Sequence, residues 1–382
     1  MKATTLAKWE KGLREFLTRL PPETVIEKYS HGRKEFLTKL NQEKVLEAYI
    51  PPKELEKKLW GLSFQTNLFN AAGMFKNGEC SEMVFRQGAG AYLGGTGTWN
   101  SRTGNEKNKV HLPFTPYPRS HAASNWLGLP NKGDIENAFT AKKIVDTQKE
   151  INNYSNFPIG WSIMGSPDYT GEEKLQKLVE SMNLYKNAGV HFLEINESCP
   201  NTTHGKPQNS DLEKRLHYIK KHFLNKRDRN IPVIVKFSND TTVEQVPYLL
   251  DLLFSCDFDG VNFGNTSTQY EKRKKDIHQK EHKLFDYFTQ TFGGGLSGKV
   301  LKEDSLLLAS TAASYVKAGP PSQEFHVIRT GGIDSLKDIE ESNKAGISLN
   351  QWFTGYFEHF AENGHDVYRE LFKYQKEKIS DV

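Results

Sequence analysis

From Gly61 onward the chain alternates between short apolar segments and longer polar stretches. The apolar segments are residues 68–72, 91–95, 158–164, 191–196, 231–237, 259–263, 326–330 and 349–353. Each is too short for a helix and reads as a buried strand. Most of the stretches between them are polar and helix-compatible. Strands alternating with helices imply parallel β/α units, and eight of them predict an α/β fold closed as a (β/α)8 TIM barrel. The longest connection, residues 97–157, interrupts this rhythm, and a small hairpin and lid elements are expected there. No shorter repeat and no low-complexity tract is present.

Residues 1–60 follow a different pattern. They are rich in Lys and Glu, and Pro21-Pro22 and Pro51-Pro52 divide them. Leu6, Trp9, Leu13, Phe16, Leu17 and Leu20 recur at helical spacing as one apolar stripe. Val25, Ile26, Tyr29, Phe36, Leu37 and Leu40 continue it. The pattern predicts short amphipathic helices forming an N-terminal extension over 1–60, with a catalytic barrel over 61–382. Because the polar faces carry both signs of charge, the extension is expected as a helical cap on the barrel. The alternative is a membrane-surface anchor that shapes access for a lipophilic substrate.

Composition narrows the function. A net charge of +4 over 382 residues is too mild for a nucleic-acid partner. The densest basic run, Lys272-Arg273-Lys274-Lys275, is soon diluted by Asp276 and Glu281. The cysteines Cys80, Cys199 and Cys256 are widely spaced, which suggests neither a zinc site nor a disulfide framework and fits a reducing compartment. No secretory signal and no membrane-spanning stretch is read from the sequence. A cytoplasmic protein is expected, with peripheral contact to the inner membrane through residues 1–60 as the alternative.

Polar residues fall in phase at the ends of the apolar segments. Lys76, Thr96, Ser162, Asn196, Lys236, Asn265-Thr266, Gly331-Gly332 and Thr354-Gly355 lie in or follow successive segments. In a β/α barrel these positions share the rim on which active sites are built. The turn Asn196-Glu197-Ser198-Cys199-Pro200-Asn201 carries two carboxamides and a thiol. Asn196 and Asn201 each offer a donor and an acceptor for a flat ring bearing amide and carbonyl groups. Cys199, restrained by Pro200, is placed to move a proton. The plainer reading is a strand end with a capping Asn and a half-buried Cys. Glycines at 293–295, 298, 331–332 and 355 let backbone approach a ligand closely, which suggests a phosphorylated cofactor. No G-x-G-x-x-G follows an early strand, so a Rossmann site is not expected. A buried Lys236 needs an anionic partner; facing a flavin it would stabilise negative charge on the reduced ring, and the plainer reading is a salt-bridged core lysine.

These residues fall in longer blocks: AAGMFKNGE (71–79), GGTGT (94–98), SNWLGLPN (124–131), NESCPNTTHGKPQ (196–208), VKFSND (235–240), DGVNFGNTS (259–267), GGLSGK (294–299), RTGGIDS (329–335) and SLNQWFTG (348–355). With them, residues 61 to about 375 resemble the dihydroorotate dehydrogenases, FMN-dependent barrel enzymes of pyrimidine biosynthesis. The resemblance implies that dihydroorotate loses a proton from C5 to Cys199 and a hydride from C6 to FMN. It implies that Asn125, Asn196, Asn201, Asn265 and Thr266 read the substrate ring. Backbone amides around Gly128 and Leu129 would meet its carboxylate. Ala72, Gly73, Thr96, Ser162, Lys236, Gly298, Gly332, Phe353 and Thr354 would hold FMN, with Lys76 and Asn196 touching both ligands.

The blocks mix two classes. A cysteine base and HGKPQ look like the soluble class, which uses fumarate or a partner flavoprotein. AAGMFKNGE, GGLSGK and the extension look like the membrane-associated quinone class, whose base is usually serine. The expected acceptor is therefore quinone or fumarate, and a homodimer is a further candidate assembly. Two other readings remain. One is a related FMN-dependent pyrimidine oxidoreductase, although the iron–sulfur cysteines of dihydropyrimidine dehydrogenases are absent. The other is a non-catalytic FMN-binding protein, which would be expected to have lost Cys199 or the asparagines.

Overall fold

The computed structural model describes residues 1–150, 154, 156–197, 209–228 and 230–380. All eight predicted segments are parallel strands of one sheet: β1 (Leu68–Asn70), β2 (Tyr92–Gly97), β3 (Ile159–Ile163), β4 (Phe192–Asn196), β5 (Val233–Phe237), β6 (Gly260–Phe263), β7 (His326–Thr330) and β8 (Leu349–Trp352). The order runs from β1 through β8, β7, β6, β5, β4 and β3 to β2, so neighbours in sequence are neighbours in space. Their near-continuous burial is what a sheet covered on both faces requires.

Closure between β1 and β2 uses a side chain. Asn70 Nδ2 donates to the Leu93 carbonyl at 2.7 Å, and Asn70 Oδ1 accepts from the Leu93 amide at 3.1 Å. Beyond the strand ends, the Gly73 amide donates to the Gly95 carbonyl at 2.7 Å. The opposite mouth is plugged by an antiparallel hairpin, Lys57–Leu59 with Leu62–Phe64. Phe64 sits fully buried against Phe69 and Phe192, and Trp60 Nε1 donates to the Asp259 carbonyl at 3.0 Å. The expected domain boundary at 60/61 falls in the turn of this hairpin.

The insertion between β2 and β3 holds the predicted small hairpin, Glu106–Lys107 with Val110–His111. It also holds strands Phe114–Tyr117 and Ala122–Asn125, which pair with each other, and Ala122–Asn125 pairs on its other side with Gly295–Gly298 from the connection between β6 and β7. This three-stranded sheet stands over the rim and carries Asn125.

The extension forms two helices, α1 (Ala3–Leu17) and α2 (Pro22–Gln42), followed by irregular chain and the hairpin. With 21 residues, α2 is longer than the short helices expected, because Pro22 starts it and no further proline interrupts it. The extension does cap the barrel, but the α1 stripe divides. Leu6 and Leu17 face inward, while Trp9, Leu13 and Phe16 are 65%, 51% and 66% exposed. Glu43 ties down the start of α1 by accepting from the Ala3 amide at 2.6 Å and the Thr4 hydroxyl at 2.7 Å. Arg14 pairs with Glu10 on α1 and with Glu358 on the helix after β8. No described helix is long and apolar enough to cross a membrane.

Candidate active site

The carboxyl ends of the strands surround a cleft. One wall is a chain of hydrogen-bonded side chains running from β2 to the loop after β6. Thr96 Oγ1 lies 3.0 Å from Ser162 Oγ and accepts from Asn196 Nδ2 at 3.1 Å. Asn196 Oδ1 in turn accepts from Asn265 Nδ2 at 3.2 Å, and Asn265 Oδ1 accepts from the Thr266 amide at 2.8 Å. These bonds fix which end of each carboxamide is donor and which is acceptor. Thr266 Oγ1 is buried at the cleft with no hydrogen-bond partner among the described residues, as expected of a hydroxyl reserved for a ligand.

Below this wall lies a buried polar layer. Lys236 Nζ donates to Gln351 Oε1 at 2.9 Å and stands 3.4 Å from Glu194 Oε1. Glu194 Oε2 accepts from Gln351 Nε2 at 2.8 Å and from Asn262 Nδ2 at 2.9 Å. Burial pulls the Lys236 ammonium down from the usual lysine range, and Glu194 opposes that pull. On the other side of the cleft, an added Cβ at Gly73 would sit 3.6 Å from Lys76 Nζ, so this ammonium hangs over the glycine loop.

The far end of the cleft is an anion cradle. Helix Thr354–Asn363 begins at the rim with its amides facing the cleft side, beside Gly298, Gly331 and Gly332. Gly332 has φ +70°, and a Cβ there would come within 2.4 Å of Lys302 Cα. Gly298 has φ +107°, and its Cβ would meet the His121 carbonyl at 2.2 Å. Lys299 and His121 line the same end. A flat ring beside Lys236 and a phosphate at these amides match the donors present, so the residues fit a flavin mononucleotide.

A profile of the dihydroorotate dehydrogenase family matches residues 54–374. This chain belongs to the dihydroorotate dehydrogenase family. As a member it is an oxidoreductase, and the family is flavin-dependent. It is 30% identical over 303 residues to a dihydroorotate dehydrogenase (quinone) of Trichodesmium erythraeum (strain IMS101), covering 79% of this chain and 74% of that one. It is 26% identical over 336 residues to the quinone enzyme of Crocosphaera subtropica (strain ATCC 51142 / BH68), covering 86% and 82%. Its fold is similar to that of the dihydroorotate dehydrogenase of Eimeria tenella, solved in complex with ferulenol. The TM-score is 0.75 at 20% identity, covering 89% of each chain.

Most residues singled out from the sequence of this dehydrogenase meet at the cleft: Ala72, Gly73, Lys76, Thr96, Asn125, Leu129, Asn196, Lys236, Asn265, Thr266, Gly298, Gly332, Phe353 and Thr354. Ser162 is completely buried behind Thr96 and supports it. Gly128 turns away, and its carbonyl accepts from Arg102 Nε at 3.3 Å. Leu127 and Leu129 on either side face the cleft. Cys199, Asn201 and the stretch 202–208 lie outside the described residues.

Sequence reasoning missed three polar groups. Gln351 and Glu194 complete the buried layer. Glu194 was visible as an acid inside an apolar run, a signal in its own right. Arg33 on α2 reaches the cleft from the extension, and burial lowers its guanidinium to about 10 against Glu79, which raises it.

Arg33 also marks a junction. A second cavity lies between α1, α2 and helix Thr354–Asn363. Its lining is mainly apolar and includes Leu6, Ala7, Leu17, Phe36, Leu37, Phe357 and Ala361. It shares Arg33, Phe114, Phe353, Thr354 and Glu358 with the cleft, so the two adjoin through a common wall.

Proposed function

We propose that this enzyme oxidises dihydroorotate to orotate on FMN and delivers the electrons to a quinone held in the apolar passage under the extension. The observation that carries the reading is the shared wall. A polar cleft suited to a charged pyrimidine and a flavin adjoins an apolar chamber through Phe353 and Thr354. A reaction in two halves, one substrate polar and the other lipophilic, needs such a pair of chambers.

In the first half-reaction the carboxamides of Asn125, Asn196, Asn201 and Asn265, with the Thr266 hydroxyl, hold the dihydropyrimidine ring by its amide and carbonyl edges. Backbone amides beside Leu129 and the Lys76 ammonium receive its carboxylate. Cys199, as thiolate, removes the C5 proton. FMN supplies the hydride acceptor for C6. Lys236 contributes a buried positive charge on the cofactor's side, and the cradle of Gly298, Gly332, Phe353 and Thr354 holds the phosphate.

The quinone-named relatives support a quinone over fumarate as acceptor. The exposed Trp9, Leu13 and Phe16 on α1 would dip into a membrane interface, with Lys8 and Arg19 near them, and set the passage against lipid. The test is to reduce the purified yellow protein with dihydroorotate and compare reoxidation by a short-chain quinone, fumarate and oxygen. Rapid reoxidation by the quinone and none by fumarate is expected. The reverse order would refute the acceptor assignment.

A further inference from the structure

We propose that Glu194 is a tuning residue: its carboxylate, acting through Lys236, lowers the reduction potential of the bound flavin and so favours passing electrons on to the acceptor. This rests on the flavin reading above and goes beyond it by giving a role to a group that does not line the cleft.

Glu194 is an anomaly in β4. Its neighbours Phe192, Leu193 and Ile195 are buried hydrophobes, and Glu194 itself is only 1% exposed. An ionised carboxylate in a barrel interior is costly unless paired and hydrogen-bonded. Here it is both, through Asn262, Gln351 and Lys236. Gln351 is the hinge of the arrangement. Its Oε1 accepts from Lys236 while its Nε2 donates to Glu194, so the ammonium and the carboxylate are held at fixed positions. The Thr330 hydroxyl lies 2.9 Å from Asn262 Oδ1 and 3.1 Å from Gln351 Oε1, and its one proton bonds either amide oxygen.

Lys236, Gln351 and Thr330 face the cleft, whereas Glu194 lies behind them. A lone ammonium in this wall would attract electrons onto an adjacent ring strongly, because a buried charge is poorly screened. A carboxylate 3.4 Å behind it converts the charge into a dipole whose field falls off faster. The ring therefore meets a weakened cation. An apolar residue at this position alone would leave the Lys236 ammonium and the Asn262 and Gln351 amides without their shared partner.

The experiment measures the midpoint potential of the bound flavin by anaerobic titration against a reference dye. It is done at one fixed pH for the parent and every variant. Glu194→Gln keeps the shape and removes the charge, and the potential is expected to move positive. Reoxidation by a short-chain quinone should slow at the same time. Glu194→Asp keeps the charge and should stay near the parent. Glu194→Met, which asks for no hydrogen bonds, is the second neutral variant and should shift in the same direction as Gln. Flavin-bound variants whose potential is unmoved or more negative on loss of the charge would overturn the proposal. So would equal shifts for Gln and Asp, which point to a purely structural role. A parent protein that binds no flavin would instead sink the functional reading, and this proposal with it.

Discussion

The carboxamide of Asn70 makes both of the hydrogen bonds that a paired strand would offer to Leu93, at 2.7 and 3.1 Å. It thereby closes the barrel where β1 and β2 lack a ladder. Both residues are buried, so no water would replace a lost partner. Asn70→Ala should leave a buried amide and carbonyl unpaired and destabilise the protein by about 2–4 kcal/mol. Urea unfolding of the variant checks this, and a change within error would show that backbone contacts alone seal the seam.

Asp134 gives the fold a pH dependence without lining the cleft. It is fully buried and accepts from Ser181 Oγ at 2.5 Å and Tyr185 OH at 2.8 Å. Burial raises its carboxyl from 3.8 to about 6, against those two hydrogen bonds. The folded state thus holds its proton more tightly than the unfolded chain. Its contribution is most favourable below about pH 4 and is lost as pH rises to about 6, by on the order of 2–3 kcal/mol. Asp134→Asn, compared with the parent by urea unfolding across that window, should gain relative stability as pH rises. A constant difference would contradict the assignment.

Gly32 offers a way to close the passage without touching the cleft. It lines the apolar chamber from α2, and a Cβ built there meets nothing within 4 Å. Gly32→Phe should be tolerated by the helix, because glycine is a poor helix former. The ring would occupy the space assigned to the acceptor. Flavin reduction by dihydroorotate should be unchanged while reoxidation by quinone slows at least tenfold. Stopped-flow traces of the two half-reactions separate the effects, and an equal loss in both would argue against separate chambers.

Cys199→Ser addresses the base. A free thiol has a pKa near ~8.5 and a hydroxyl is far weaker as a base, so flavin reduction at neutral pH should fall by roughly 10²–10⁴-fold. In the parent, reduction should quicken with pH until the thiol is ionised. An unchanged rate in the variant would remove Cys199 from the mechanism.

Much of this architecture was legible in the sequence, because each barrel strand is a short apolar run that ends in a residue useful at the rim. Lys236 and Asn196 were found that way, and both line the cleft. The plugging hairpin was not, since Lys57 and Lys58 make its first strand look like loop. Arg33 was missed because a basic residue on a two-signed helix normally faces solvent, and only tertiary packing turns it into the junction. The apolar stripe of α1 was read correctly as helical. Its spacing could not show that one side would line a chamber while Trp9, Leu13 and Phe16 stayed outside.

The most direct test of the central claim is anaerobic mixing of the purified protein with dihydroorotate while the visible flavin absorbance is followed. Rapid and complete bleaching, with one orotate formed for each flavin reduced, is the predicted result. A protein that carries no flavin, or one whose colour persists in excess dihydroorotate, would contradict it.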